Sequence, residues 1–179
     1  MALAPIDKQL EAAGLQMAGV CTDLASITHG WRHEASLIED LTPSETNALG
    51  ALMPRVRAQP GQTLIREGDI GDWMLIILSG TVDVTKQTEE GDEPSRLAVV
   101  KQGAALGEMS MLDAAPRYAS CTAIEAVEAA VLSRAAVAEL IHSHPTTGAK
   151  VLVKLTQLLA QRLRNTSNQL VKQLQNAIK

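Results

Sequence analysis

Between residues 55 and 133 the apolar residues fall in short β-type runs, at 55–58, 63–66, 73–78, 81–85, 96–100, 117–123 and 130–133, broken by Gly and Asp. Strands this short at regular spacing predict a sandwich or barrel, closed so that few edges stay free. Ser79-Gly80 marks a tight turn between two of them, and the polar stretch 88–94 (TEEGDEP) reads as an exposed hairpin tip. The chain has no Phe, one Tyr and two Trp, so Leu, Val, Ile, Met and Ala must fill the core.

Helical periodicity flanks this zone. From residue 5 to about 28 the apolar residues Ile6, Leu10, Ala13, Met17, Val20, Leu24 and Ile27 recur at heptad steps and predict an amphipathic helix. Gly14 and Gly19 each weaken it by about 1 kcal/mol relative to Ala. Thr42-Pro43-Ser44-Glu45 is a capping box with Pro at the first helical position, and it opens a helix expected to reach about Met53. After residue 133 a short helix runs to about His142 and stops before Pro145; a long one follows. On the long helix Leu152, Leu159, Leu163, Thr166, Leu170, Leu174 and Ala177 form a stripe, broadened by Leu155, Leu158 and Val171. A helix of about 30 residues is about 45 Å long, more than a small barrel covers. Part of its apolar face is therefore expected to meet a second copy in a parallel pair, giving a homodimer.

Composition removes several classes of function. Hydrophobic residues make up 46% and charged residues 20%, the balance of an ordinary globular chain. The longest apolar run, 73–78, is far shorter than the roughly 20 residues of a membrane span, so no membrane association is expected. Residues 1–6 lack a basic stretch followed by an apolar block, and Cys21 and Cys121 stand alone, so a cytoplasmic protein is the expectation. The net charge of −4 and the scarcity of aromatic rings argue against a general nucleic-acid binder. Charge is uneven: residues 150–179 carry +6 and the preceding 149 carry −10. A solvated basic face on the terminal helix accounts for this more simply than docking to an acidic partner.

The segment 107–120, GEMSMLDAAPRYAS, carries the chemistry. Leu106-Gly107 ends a strand, 108–112 makes one helical turn, Ala114-Ala115-Pro116 forces an exit, and Arg117 opens the next strand. Free amides at the start of that turn, a guanidinium suited to bidentate phosphate contact and a carboxylate able to accept from a sugar hydroxyl can hold both halves of a ribose phosphate. The residues alone fit an ordinary Arg–Glu surface pair beside a tight turn better.

The run Val56-x4-Gly61-x2-Leu64-Ile65-x-Glu67-Gly68-Asp69-x2-Asp72-x3-Ile76-x3-Gly80-x-Val82-x-Val84, followed by GEMSMLDAAPRYAS, closely resembles the cyclic nucleotide-binding domain family. The resemblance covers about residues 40–178. It implies an α+β fold: an antiparallel β-roll (jelly-roll barrel) flanked by N-terminal helices and a long C-terminal dimerisation helix. The expected division is a helical extension over 1–40, the β-roll over 41–144 and the dimer and hinge helix over 145–179. It also implies that Glu108 binds the ribose 2′-hydroxyl and Arg117 the cyclic phosphate. Gly107, Met109, Ser110, Tyr118 and Ala119 complete the cradle, while Gly61, Gly68 and Gly80 fill turn positions. Arg162-Leu163-Arg164-Asn165-Thr166-Ser167 is similar to the dimer helix of the catabolite activator branch, where Thr166 and, from the opposite subunit, Ser167 would reach the purine. The alternative for Thr166 is a hydroxyl bonded one turn back on its own helix.

Tyr118 departs from the small or hydroxylated residue usual after the arginine, which leaves the choice between cyclic AMP (cAMP) and cyclic GMP (cGMP) open. Leu106 replaces a common Phe. No helix-turn-helix segment follows the long helix, so DNA binding is not expected. His142-x-His144 and His29-x3-His33 have metal-like spacing but read as exposed caps, Cys121 reads as a small buried hydrophobe, and no metal site is expected. The leading expectation is a non-enzymatic sensor that binds a cyclic purine mononucleotide, cAMP ahead of cGMP, and signals through its C-terminal helix to a dimer or a downstream protein partner. The alternatives are a scaffold that keeps the β-roll without a ligand and, third, a metal-dependent barrel enzyme.

Overall fold

The computed structural model describes residues 3–31, 36–87 and 93–177. In chain order the elements are α1 (Ile6–Ala12), β1 (Gln16–Val20), α2 (Leu24–Ile27), α3 (Pro43–Gly50), β2 (Pro54–Ala58), β3 (Thr63–Ile65), β4 (Trp73–Ser79), β5 (Val82–Lys86), β6 (Ser95–Val100), β7 (Ala105–Leu106), α4 (Glu108–Asp113), β8 (Ser120–Ala123), β9 (Val127–Ser133), α5 (Arg134–Ser143) and α6 (Pro145–Ala177). All strand pairs are antiparallel. They form one sheet in the order β1-β2-β9-β4-β7 and a second in the order β3-β8-β5-β6. This is the expected antiparallel β-roll with helices at both ends of the chain.

The apolar run at 73–78 has no period because β4 is buried on both faces. Leu75 and Ile77 pack inside the roll with Val56, Val82, Cys121 and Val131. Met74, Ile76 and Leu78 face the other way, against Leu49, Met53, Leu140, Val151 and Leu155 of the helical layer. Alternation along the strand thus feeds two cores, and no position from 73 to 78 is left polar.

The capping box forms as expected: the Thr42 amide donates to Glu45 Oε2 at 2.8 Å and the Glu45 amide to Thr42 Oγ1 at 3.3 Å. Its helix stops at Gly50 rather than at Met53. β8 begins at Ser120, three residues later than expected, while β9 begins at Val127, three residues earlier. Residues 88–92 of the expected hairpin tip lie outside the described residues.

The heptad helix expected over residues 5–28 does not form. Gly14 takes a left-handed φ of +73°, which ends α1 after two turns, and the chain then runs as β1 along the edge of β2. The residues of the supposed seam separate: Leu10 is buried inside the roll, Leu24 under the helical layer, and Met17 and Val20 are exposed. Leu15 and Cys21, which that seam omitted, are buried. A 3.5-residue repeat cannot by itself separate one continuous helix from short helices joined by an edge strand.

α6 is 33 residues long, about 50 Å. Its first half lies on the body through buried Val151, Leu155 and Leu158, with Lys150 paired to Glu45 and Lys154 to Glu39 and Asp40. Beyond Arg162 it leaves the body, and Leu163, Leu170, Val171 and Leu174 are all more than half exposed.

Leu75 has no exposed surface, so Leu75→Ala is expected to cost 2–5 kcal/mol, of order the usual large-to-small core change (about 2–5). Ile124 is half exposed, and Ile124→Ala is expected to stay within about 0.5 kcal/mol. Urea unfolding of both variants checks this.

Candidate functional site

Gly107 carries the conformational demand of the site. It sits at the N-cap of α4 with φ +79°, and a Cβ there would lie 2.7 Å from Arg117 Nη1 and 2.8 Å from Ile65 Cδ1. Any side chain at this position collides with the groups around it. No side chain caps α4, and at its other end Ala114 also takes a left-handed φ, +61°. The Asp113 carboxylate accepts from the Ala115 amide at 2.9 Å and closes the exit turn. The α4 carbonyls are held from outside: Arg134, the first residue of α5, donates from Nε to the Met111 carbonyl at 2.7 Å and from Nη2 to that of Ser110 at 3.3 Å.

Beside α4 lies a cavity of about 580 Å³, within the range of small-molecule sites. Gly107, Glu108, Met109 and Ser110 line one wall and Arg117, Tyr118 and Ala119 another. Val84, Leu97 and Val100 supply an aliphatic side, and Leu159, Arg162, Asn165 and Thr166 of α6 close the remaining one. The expected cradle residues and Thr166 therefore meet at one cavity. Ser167 is exposed on α6 and does not line it.

Arg117 is 4% exposed. Its amide donates to the Asp69 carbonyl at 2.8 Å and its carbonyl accepts from the Gly68 amide at 2.9 Å, which pins its backbone to the β3–β4 turn. Nη1 donates to the Gly107 carbonyl at 2.9 Å, and the guanidinium lies over the Trp73 ring, 4.5 Å from its centroid. Nη2 is buried without a hydrogen-bond partner. Burial lowers the Arg117 pKa from the ordinary arginine value, and Cys121, Asp72, Asp69 and Glu108 oppose that shift. An uncompensated buried guanidinium donor is costly and an anionic acceptor would relieve it.

Glu108 is 1% exposed and accepts from Arg162 Nη1. Arg162 Nη2 also donates to the Ala105 carbonyl, at 2.5 Å. The carboxylate at the heart of the site is thus held by a guanidinium from α6. Arg162, Arg134 and Trp73 were not legible as site residues from spacing alone. Arg162 lies one helical turn before Thr166, and that i, i+4 relation is the signal that points to it.

Cys121 lines the cavity wall but is buried, and burial pushes its thiol up to about 12. This fits the reading of a small hydrophobe. His142 and His144 are exposed at the end of α5; His29 is exposed, and His33 lies outside the described residues. Among the described residues no group of three metal-capable side chains converges, and no helix is long and apolar enough to cross a membrane.

Comparison with known proteins agrees with the geometry. The family model for the cyclic nucleotide-binding domain matches residues 55–144, and the chain belongs to that family. It is 32% identical over 136 residues to a CRP-like cAMP-activated global transcriptional regulator of Mycobacterium tuberculosis, covering 76% of this chain and 58% of that protein. It is 33% identical over 109 residues to a cAMP-dependent protein kinase regulatory subunit of Yarrowia lipolytica, covering 61% of this chain and 28% of that one. A crystal structure of a cyclic nucleotide-binding domain from Methylobacillus flagellatus superposes with a TM-score of 0.76 at 34% identity, covering 89% of each chain. The chain spans less than two thirds of the length of either regulator.

The raised Cys121 pKa has a sign that can be checked. The thiol is protonated in the folded chain up to about 12, whereas its ordinary value is 9.0. Stability from this group is complete below about 9 and falls as pH rises from there to about 12, since the unfolded chain then holds fewer protons. Iodoacetamide at pH 8 is expected to leave Cys121 unmodified in the folded chain and to label it in urea, read by mass spectrometry.

Proposed function

We propose that this chain is a regulatory sensor that binds a cyclic purine mononucleotide, cAMP in preference to cGMP, and passes the binding event through α6 to a second copy or a downstream protein. The unpartnered Nη2 of the buried Arg117 carries the reading, because a cyclic phosphodiester supplies the acceptor it lacks. The amides of Met109 and Ser110 complete the phosphate cradle and Glu108 takes the ribose 2′-hydroxyl. Thr166, and Ser167 from a second copy, reach the base. The β-roll over 41–144 acts as the binding unit and 145–179 as the relay, in a cytoplasmic protein. The M. tuberculosis relative's description as cAMP-activated supports the ligand, and its role in transcription is that protein's own.

Two connections support the relay. Arg162 joins α6 to Glu108 and to the Ala105 carbonyl, so a sugar hydroxyl on Glu108 shares its acceptor with α6. Arg134 joins α5 to the last carbonyls of α4, so a shift of the cradle moves the base of the hinge. The ligand acts as a switch to the extent that it binds one α6 position more tightly than another. The scaffold alternative draws on the same Glu108–Arg162 pair, which already fills the carboxylate from within.

Isothermal titration of the full chain with cAMP and cGMP separates the two. Arg117→Ala is expected to weaken cAMP binding by at least about 30-fold, from the 2–5 kcal/mol typical of truncating one member of a buried charge pair (about 2–5). Unchanged affinity overturns the phosphate role, and a wild-type chain that binds neither nucleotide selects the scaffold.

The exposed stripe on α6 is expected to pair with its copy. Sedimentation of the full chain should give a dimer, and the double change Leu163→Glu with Leu170→Glu, both at exposed positions, should give a folded monomer.

A further inference from the structure

A nucleotide base is a flat aromatic ring, and this chain has very few aromatic side chains to set against it. Trp73 is buried beneath the Arg117 guanidinium, and Trp31 packs against the helical layer. Neither lines the 580 Å³ cavity, which leaves Tyr118 as the one aromatic residue on its wall among the described residues. Tyr118 directly follows the phosphate arginine in sequence and is 54% exposed. Its ring is not left loose. Lys86, the last residue of β5, places its ammonium 4.3 Å from the ring centroid and donates to the Tyr118 carbonyl at 2.9 Å.

Lys86 is itself fixed. Its Nζ donates to Glu67 Oε1 at 2.8 Å, and Glu67 Oε2 accepts from the Gln87 amide at 2.9 Å. The Glu67 amide donates to Ser120 Oγ at 3.0 Å. The Lys86 and Gln87 bonds hold the Glu67 carboxyl below its ordinary pKa, so the carboxylate partner of the ammonium is present at neutral pH. The turn after β3, the end of β5 and the start of β8 are thereby tied together around one ring. Period two along β5 puts Lys86 on the same face as Val84, which lines the cavity.

We infer that Tyr118 is a stacking platform for the base of the bound nucleotide, with Lys86 as its positioning residue, and that the pair makes the site select purines over pyrimidines. The ammonium covers one part of the ring and fixes its angle before the ligand arrives, which reduces the ordering cost of stacking. A purine overlaps a tyrosine ring over more area than a pyrimidine does. Every base has a π-face, so the platform reads ring size and leaves adenine against guanine to other groups. A bulky ring after the arginine is thus part of the recognition surface, where a small residue would leave the cavity without any aromatic face among the described residues. The inference rests on the nucleotide reading above and adds the contact that reads the base.

Titration of the full chain with 3′,5′-cyclic AMP and 3′,5′-cyclic CMP tests it. The wild type should prefer the purine. Tyr118→Ala should weaken cyclic AMP by about 5- to 150-fold, the range for loss of one base–aromatic stack, and cyclic CMP by less, so the selectivity ratio falls. Tyr118→Phe keeps the ring and should keep the ratio, which separates stacking from a phenol hydrogen bond. Lys86→Met should lower the ratio part of the way. Because Tyr118 is the only tyrosine, its ring proton resonances should move upfield with cyclic AMP and return in a competition with excess unlabelled chain. An equal loss for both nucleotides in Tyr118→Ala, or no loss, overturns the platform while the nucleotide site stands. A wild type that binds neither nucleotide overturns the site and the platform together.

Discussion

The buried guanidinium of Arg117 is the constraint around which this end of the roll is built. Holding a cation at 4% exposure is costly unless its donors are met, and here the protein meets only part of the demand. The Gly107 carbonyl takes Nη1, the Trp73 ring takes one face, and Gly107 and Gly71 are bare because a Cβ at either would come within 2.7 Å of a guanidinium nitrogen. The remaining donor, Nη2, is left without a partner among the described residues, and the proposed phosphodiester would supply one. A small set of backbone decisions, chief among them the left-handed Gly107, makes that arrangement possible.

α6 connects this site to the rest of the molecule because one helix performs three tasks along its length. Its first turns are fastened to the body by Val151, Leu155 and two lysine pairs. Its middle supplies Arg162 to Glu108 and Thr166 to the cavity. Its end carries leucines that stay more than half exposed among the described residues. A helix is stiff over this distance, so a change at Arg162 and a change at Leu170 are coupled through the same rod. Arg134 adds a second tie, from the far end of α4 to the first turn of α5. The proposed relay therefore runs through two electrostatic contacts on a rigid element and requires no long chain of packed side chains.

Some of this was legible in the sequence, and the reasons differ by element. The capping box at Thr42–Glu45 forms because its chemistry is local: each partner lies within one turn of the other. The cradle 107–120 was legible for the same reason, since a Gly, a short helix and an exit turn are consecutive. The N-terminal reading failed because the apolar spacing of residues 5–28 fits a helix as well as the broken α1–β1–α2 path, and the pairing of β1 with β2 that decides between them is non-local. The partners of Glu108, Arg117 and Tyr118 were not legible either. Arg162, Trp73 and Lys86 reach them from 54, 44 and 32 positions away.

The amino-acid order by itself determined the strand runs after residue 54, the turn glycines 61, 68 and 80, the capped start of α3 and the motif that marks the family, because each depends on residues within a few positions of one another. Folding decided which groups ended beside the motif. It placed a tryptophan under the arginine, an α6 guanidinium on the carboxylate and a lysine over the single tyrosine. Those placements follow from sheet order and helix docking, which are set by burial summed over the whole chain and so leave no signature at any one position.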